Sequence, residues 1–296
     1  MFSADHLRFF LELSRRGRLN EASRALGVDH TTVGRRITSL EKAVGQRLFD
    51  RTTSGWLLTE AGRRLVSYAE TVESTLIAAF EDQTSSIGSL SGSVRIAAPD
   101  GFGAFILAPN LTRLRRKHPN LDVELVTATE HNSMNTREFD VAVTLEQPSP
   151  RFVSFHKLAT YSLYLYATPE YLDTTPTIAK REDLRKHTLI WYVEALLDVA
   201  PLRILDSILP ESHAQIQTNN ITGHWLAARS GLGIAPLPSY IGDPDNGLIR
   251  VLAETLSIER TYWVAVPREL TGLARVKAVN DLLHNIVVDT PDLRSA

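Results

Sequence analysis

The sequence predicts an α/β multidomain protein, with an N-terminal winged helix-turn-helix, a long linker helix and a larger α/β domain. Three observations support this prediction. Apolar residues recur at helical spacing over the first 50 residues, a serine- and glycine-rich stretch follows at 85–93, and strands alternate with helices from Val94 onward. A chain of 296 residues is long enough for two or three compact units.

Charge divides the chain into two parts. Residues 1–65 hold 12 Lys+Arg against 7 Asp+Glu, whereas the other 231 residues hold 20 against 27. A net charge of +5 in the first part and −7 in the rest indicates that only the N-terminal part meets a polyanion.

Composition excludes several kinds of site. The chain has no cysteine, so disulfide scaffolds, thiolate metal sites and cysteine nucleophiles are excluded, and a reducing cytoplasm is the expected location. The N-terminus does not show the charge pattern of a signal peptide, and no apolar run approaches the roughly 20 residues of a membrane span. We therefore expect a cytoplasmic protein with no membrane partner.

The first two helices are predicted from apolar spacing and helix ends. A stripe spaced by three and four residues marks a helix that ends near Gly17. Asn20 is predicted to cap a short second helix, and Gly27 to turn the chain out of it in a left-handed conformation. The stripe of the first helix consists of Leu7, Phe10 and Leu11, and that of the second of Ala22 and Leu26.

A third helix completes a helix-turn-helix arrangement. Asp29 is predicted to cap it, and its buried stripe consists of Val33, Ile37, Leu40 and Val44. After Gly45 the segments RLFDR and WLLT, separated by the turn-rich TTSG, predict a two-stranded wing.

A long helix is predicted from Thr59, its cap, to about Asp82. Its apolar stripe has nearly heptad spacing and needs a partner helix, so it predicts a dimer interface. This stripe consists of Ala61, Leu65, Tyr68, Val72, Leu76 and Ala79. The stretch SSIGSLSGS at 85–93 is interpreted as a hinge. The expected domains are therefore 1–58, 59–88 for the linker helix and hinge, and 89–296.

The rest of the chain alternates between strands and helices, which predicts a mainly parallel sheet. The predicted strands are VRIAAP, LDVELVT, DVAVT, YSLYLYAT, HTLIWY and TYWVAV, and the predicted helices are FILAPNLTRLRRKHP and residues 221–230 and 274–287. Periodicity leaves open whether this part is one domain or two similar lobes.

The stretch from Leu7 to Gly62 resembles the N-terminal domain of the LysR-type transcriptional regulators. The family's features LRxF, A…A…L, I…LE, LG…LF.R and LT.AG appear at matching spacing. Further on, FILAPNLTRLRRKHPNLDVELV, FDVAV, TPEYL, DLRKHTLI and AARSGLGIAPLP stand in the order of the family's effector domain.

The resemblance implies a periplasmic-binding-protein-like effector domain of two lobes, at about 93–160 with 267–296 and at about 161–266. It implies double-stranded DNA with inverted repeats and a small-molecule effector as partners, with RNA polymerase as a further possible partner. It also implies assembly as a homodimer or homotetramer.

The exposed face of the third helix holds the candidate DNA-binding residues, because its apolar stripe must face the first two helices. Arg35 can bond guanine O6 and N7, and threonines can bond phosphate or contact a thymine methyl group. Gly34 would let the backbone come close to DNA. The candidates are His30, Thr31, Thr32, Arg35, Arg36 and Thr38, with Arg51 and Thr53 in the wing. The alternative is a solvated helix, and for His30 a residue that contacts no base.

Two strand-to-helix turns hold the candidate effector-binding residues. In APDGFGAF they are Asp100, Gly101, Phe102 and Gly103; in QTNNITGHW they are Asn219 and Asn220; and Thr127, Thr129 and Tyr192 are placed by the resemblance. Free amides at a helix start could hold an anion, whereas the Asp100 carboxylate favours an amine or a hydroxyl group. The alternatives are tight packing for the glycines and helix capping for the asparagines.

Two other functions remain open from the residues. One is a constitutive DNA-binding protein whose cleft is only structural, and the other is an enzyme built on the α/β part. No HExxH, GxSxG, phosphate-binding or dinucleotide-binding motif appears in the sequence. We therefore expect no enzymatic activity, no cofactor and no metal.

Overall fold

The structure is a computed structural model that describes residues 2–52, 55–84, 90–127, 139–149, 153–193, 196 and 202–295. It divides into two compact units, one of residues 1–88 with 269–274 and the other of residues 89–268 with 275–296. Among the described residues, no helix is long and apolar enough to cross a membrane.

The N-terminal unit begins with helices α1 (Ala4–Arg16), α2 (Leu19–Leu26) and α3 (His30–Val44). Gly17, Gly27 and Gly45 end these helices in the left-handed conformation, with φ of 70°, 65° and 74°. The predicted cap of α2 is wrong. The N-cap residue is Arg18, which makes no side-chain capping bond, because the helix begins before Asn20.

The wing and the long helix follow as predicted. Strands β1 (Phe49–Thr52) and β2 (Gly55–Leu58) pair antiparallel, and α4 spans Glu60–Thr84. The Thr59 hydroxyl accepts a hydrogen bond from Gly62 N at 3.0 Å, which confirms its capping role. The Glu41 carboxylate accepts from the amides of Leu48 and Phe49, so the end of α3 holds the start of the wing.

The predicted stripe of α4 has two different environments. Its members Ala61, Leu65 and Val72 pack against the core of the N-terminal unit, which also contains Val66 and Ala69, two α4 residues outside the predicted stripe. The expectation that nothing in the domain covers this stripe is therefore wrong for its first half. Tyr68 and Leu76 are 70% and 56% exposed, and Ala79 is also exposed.

The second unit consists of many short elements around two long strands. Its strands are β3 (Ser91–Ala98), β4 (Asn120–Thr127), β5 (Val141–Thr144), β6 (Val153–Ala167), β7 (Ile190–Tyr192), β8 (Ile216–Thr218), β9 (Ala235–Pro238), β10 (Ile249–Val251), β11 (Ile258–Pro267) and β12 (Arg294–Ser295). Its α-helices are α5 (Ala108–Lys117), α6 (Pro169–Thr174), α7 (Leu205–Ile208), α8 (Ile221–Arg229), α9 (Ser239–Gly242) and α10 (Ala274–Asp289). A π-helical segment, Phe102–Leu107, leads into α5, and 3-10 helices span Arg181–Lys186 and Arg268–Leu270.

The eight-stranded sheet of this unit is mixed, so the expectation of a mainly parallel sheet is wrong. Its strands run in the order β10–β6–β11–β5–β3–β4, and β9 and β12 also pair with β6. Among its described strands, β3 is parallel to β4 and β5, and the other pairs are antiparallel. β6 and β11 pair antiparallel, with a register shift at Tyr262 and Trp263. A separate sheet joins β7 and β8 in parallel.

The predicted hinge at 85–93 ends earlier than expected, because residues 91–93 belong to β3. Residues 85–89 lie outside the described residues. The short elements α6, α7, α9, β9 and β10 were not predicted, since three to six residues are too few to show a periodicity.

Candidate functional site

The start of α3 is held by a complete N-cap. Asp29 Oδ1 accepts hydrogen bonds from the amide of Thr31 at 2.8 Å and from its hydroxyl at 2.9 Å. Both bonds lower the pKa of Asp29, and the bond from the amide has the larger effect. The Thr31 hydroxyl is therefore engaged inside the helix in the free chain, as is that of Thr38, which donates to the carbonyl of Gly34.

Arg35 lies exposed on α3 and makes no ion pair or hydrogen bond with any residue that the structure describes. His30 is exposed at the helix start, 3.4 Å from Asp29 Oδ1, and Thr32 is half-buried. A Cβ built at Gly34 would meet no atom within 4 Å. Nothing in the unit's own packing requires glycine at this position.

Arg36 does not share the exposure of Arg35. Its guanidinium lies 3.5 Å from the carboxylate of Asp5 and 5.7 Å from the centre of the Phe9 ring, and its Nε is buried. The sequence placed both arginines on the exposed face, but Arg36 is turned towards α1. Unlike Arg35, Arg36 therefore has a partner within the N-terminal unit.

In the wing, Arg51 stacks on Trp56, with its guanidinium 4.4 Å from the ring centre. Trp56 in turn packs against Phe49, and its amide donates to the carbonyl of Gly17. This cation–π contact favours a position of the guanidinium over the Trp56 ring on the wing surface. Thr53, the other wing candidate, lies outside the described residues.

The two predicted strand-to-helix turns of the second unit meet. Asp100 Oδ2 accepts hydrogen bonds from the amide of Thr222 at 3.2 Å and from its hydroxyl at 3.0 Å. We call this pair of bonds the Asp100–Thr222 bridge. Thr222 lies inside QTNNITGHW but was not singled out, although its position in the first turn of α8 is the signal that could have identified it.

The glycines and the phenylalanine of the first turn have packing roles. A Cβ at Gly101 would lie 2.9 Å from Ile221 and 3.3 Å from the Tyr240 hydroxyl, and one at Gly103 would lie 2.5 Å from Thr127 Cγ2. The Gly103 amide donates to Pro99, so it is not free for an anion. Phe102 is fully buried against Tyr262, at 4.9 Å between ring centres, so its side chain belongs to the core of this unit.

Asn220 caps α8, because its Oδ1 accepts from the amide of Gly223 at 2.7 Å. Its Nδ2 donates to the side-chain oxygen of Asn219, which is exposed. The capping interpretation therefore accounts for Asn220. Thr129 lies outside the described residues.

Tyr192 belongs to a buried polar cluster that the sequence did not reveal. Its ring centre lies 4.3 Å from that of His224, which is completely buried and whose ring nitrogens make no hydrogen bond of good geometry to the described residues. Burial lowers the pKa of His224 to about 4, although the carbonyls of Trp191 and Pro236 and the Asp100 carboxylate favour its protonation.

Three further tyrosines complete the cluster. The hydroxyls of Tyr240 and Tyr262 lie 2.6 Å apart, and Tyr161 stacks on Tyr262 at 4.4 Å between ring centres. Burial raises the pKa of Tyr161 to about 12 and also raises the pKa of Tyr240 and Tyr262 well above the usual value, so all three are neutral. They come from β6, α9 and β11, and no spacing in the sequence joins them.

A groove of about 250 Å³ lies elsewhere in this unit, between α5 and α10. It is lined by charges of both signs, and Arg113 pairs with Asp289 beside it. At its edge the His118 ring accepts a hydrogen bond from the amide of Leu90.

Comparisons with known proteins agree with both units. The family model described as "Bacterial regulatory helix-turn-helix protein, lysR family" matches residues 4–63, and "LysR substrate binding domain" matches residues 88–286. An uncharacterized HTH-type transcriptional regulator of Haemophilus influenzae is 28% identical over 207 residues, covering 69% of this chain and 72% of that protein.

The HTH-type transcriptional regulator PtxR of Pseudomonas aeruginosa is 24% identical over 247 residues, covering 80% of this chain and 77% of PtxR. Among solved structures, full-length LysG of Corynebacterium glutamicum with bound effector arginine covers all of both chains, with a TM-score of 0.72 at 18% identity.

Proposed function

This chain belongs to the LysR family of transcriptional regulators, and we propose that it binds inverted-repeat operator DNA through α3 and the wing, under the control of a small molecule. The observation that carries the proposal is the exposed face of α3. Arg35 extends from that face with no ion pair or hydrogen bond to the described residues, next to Gly34, where nothing lies within 4 Å of a built Cβ.

DNA recognition would divide between base and backbone contacts. The first turns of α3 would enter the major groove, with Arg35 available for a guanine. The Arg51 guanidinium, held on Trp56, would contact the phosphate backbone. Arg36, paired with Asp5, would hold α3 against α1 rather than contact a base.

The experiment compares Arg35→Ala with Arg116→Ala, which removes the same charge from an exposed position on α5. The operator is first selected in vitro with the wild-type chain. We expect Arg35→Ala to weaken operator binding about tenfold or more and to relax preference at one base position, since a bidentate contact is worth about 1 to 3 kcal/mol. Equal affinities of both variants and the wild type would contradict the proposal.

We propose that two chains pair through α4, whose exposed Tyr68, Leu76 and Ala79 would pack against a second copy. Two such dimers would form the tetramer, and paired heads would bind the two half-sites of an inverted repeat. RNA polymerase is the partner through which a bound regulator would change transcription. Because the target is chromosomal DNA, we place the protein in the cytoplasm.

We propose that the effector site lies around the Asp100–Thr222 bridge, between the end of β3 and the start of α8. An effector would act by binding one arrangement of the domain better than another. The bound arginine of LysG supports a small molecule in this role. A thermal-shift screen of metabolites tests this, because a ligand that binds the folded state raises its unfolding temperature. A constitutive regulator would respond to none of them.

A further inference from the structure

The Asp100–Thr222 bridge joins residues that are 122 positions apart in the sequence. Thr222 is the second residue of α8, and its amide is one of the donors that a helix start leaves without a partner in the helix. Such donors, together with the helix dipole, attract anions. Here the Asp100 carboxylate accepts from both the amide and the hydroxyl of Thr222.

A second observation, independent of the helix start, indicates a ligand-binding environment. One half-turn beyond Thr222, His224 is completely buried and has no well-formed hydrogen bond among the described residues. Burial raises the pKa of both Tyr192 and Tyr240, and the charge of Asp100 adds to both shifts. A buried imidazole and two buried phenols are thus near enough to Asp100 to respond to its charge.

The bridge also leaves little space beside it. A methyl group at Gly101 would come within 2.9 Å of Ile221 and 3.3 Å of the Tyr240 hydroxyl. The two walls of the site are therefore in contact next to Asp100, and the carboxylate fills the position nearest the donors of Thr222.

We propose that the Asp100 carboxylate is an internal anion of the effector site. It occupies the position next to the amide and hydroxyl of Thr222 that the carboxylate of a ligand would otherwise take. The natural effector then carries no carboxylate at this position. A chain that lacks the Asp100 carboxylate gains a site for a small monocarboxylate. The description of this region as an effector site rests on the proposed function, whereas the exchange of one carboxylate for another does not.

The test uses the full chain and formate as the probe. In Asp100→Ala the Cβ remains, and formate supplies the missing carboxyl group. Asp100→Asn keeps the space filled, and Asp140→Ala is the matched control, because Asp140 also accepts a backbone amide hydrogen bond, from Arg95 at 2.8 Å. Unfolding temperatures are measured in 100 mM sodium formate and in sodium chloride of equal ionic strength.

We expect Asp100→Ala to unfold about 3 to 10 °C below the wild type in chloride, because two hydrogen bonds to a charged group are lost. Formate should raise its unfolding temperature by about 2 to 4 °C, as a ligand at several times its Kd would. The wild type, Asp100→Asn and Asp140→Ala should not respond.

An Asp100→Ala chain as stable as the wild type would overturn the proposal. A destabilised chain without a selective response to formate would also overturn it, because Asp100 would then only cap α8. Operator binding of the wild type is measured in parallel. If the wild type did not bind the operator, the proposed function would be refuted, but the formate result would still test the role of Asp100.

Discussion

Replacement of Gly34 by alanine tests the interpretation of α3 most directly. Gly34 lies inside α3, and a Cβ at this position would meet nothing within 4 Å. Alanine should therefore stabilise the folded chain, because it has the higher helix propensity and loses less backbone entropy on folding. The expected gain in unfolding free energy is about 0.5 to 1 kcal/mol.

Gly62→Ala is the matched control. Gly62 also lies in a helix, α4, so the propensity gain is similar, but its new Cβ would overlap the carbonyl oxygen of Leu48 and lie 2.9 Å from Leu58 Cδ2. Overpacking of this kind costs about 1 to 3 kcal/mol. The same substitution should therefore stabilise the chain at one position and destabilise it at the other.

The assays are urea unfolding followed by circular dichroism, and binding to the selected operator. Gly34→Ala should unfold at higher urea concentration but bind the operator about tenfold more weakly, a loss of about 1.4 kcal/mol, because the added methyl group would meet DNA. Wild-type affinity in this variant would refute the close approach of the α3 backbone to DNA. A loss of stability would refute the open surroundings of Gly34.

Three other predictions follow from the same structure. Glutamate at both Tyr68 and Leu76 should abolish the dimer measured by light scattering, and a dimer that persists would exclude α4 as its interface. Burial lowers the pKa of His224 to about 4, so its stabilising contribution is complete above about pH 6.5 and is lost as the pH falls towards 4. The unfolding free energy should fall by about 3 kcal/mol over this range. His224→Gln should flatten this pH dependence of the unfolding free energy. Operator binding should weaken roughly a hundredfold between 50 and 200 mM salt if about four phosphates are contacted, and a flat salt dependence would exclude such contacts.

The residues around the Asp100–Thr222 bridge were only partly predictable from the sequence. Sequence spacing identified both strand-to-helix turns and named Asp100 and Asn220 within them. It could not show that Asp100 bonds Thr222, or that the Gly103 amide already donates to Pro99. The amides of Gly103 and Thr222 are engaged, because the surrounding chain supplies their acceptors.

What the sequence alone determined about this protein is local. The cap at Asp29, the end of the first helix near Gly17, the left-handed turn at Gly27, the cap at Thr59 and the buried stripe of α3 depend on residues within a few positions of one another, and all appear in the structure as predicted. Together with the family's motifs, they were sufficient for the helix-turn-helix and its wing.

Only the tertiary structure decided the long-range features. The antiparallel pairing of β6 with β11 and the gathering of Tyr161, Tyr240 and Tyr262 join segments far apart in the chain. Arg35 and Arg36 are adjacent and chemically identical, yet one is free of the described residues and the other pairs with Asp5 on α1. The periodicity of apolar residues in the sequence predicts the face of a helix or strand on which a residue lies. The partner it meets depends on what the rest of the chain packs against that face.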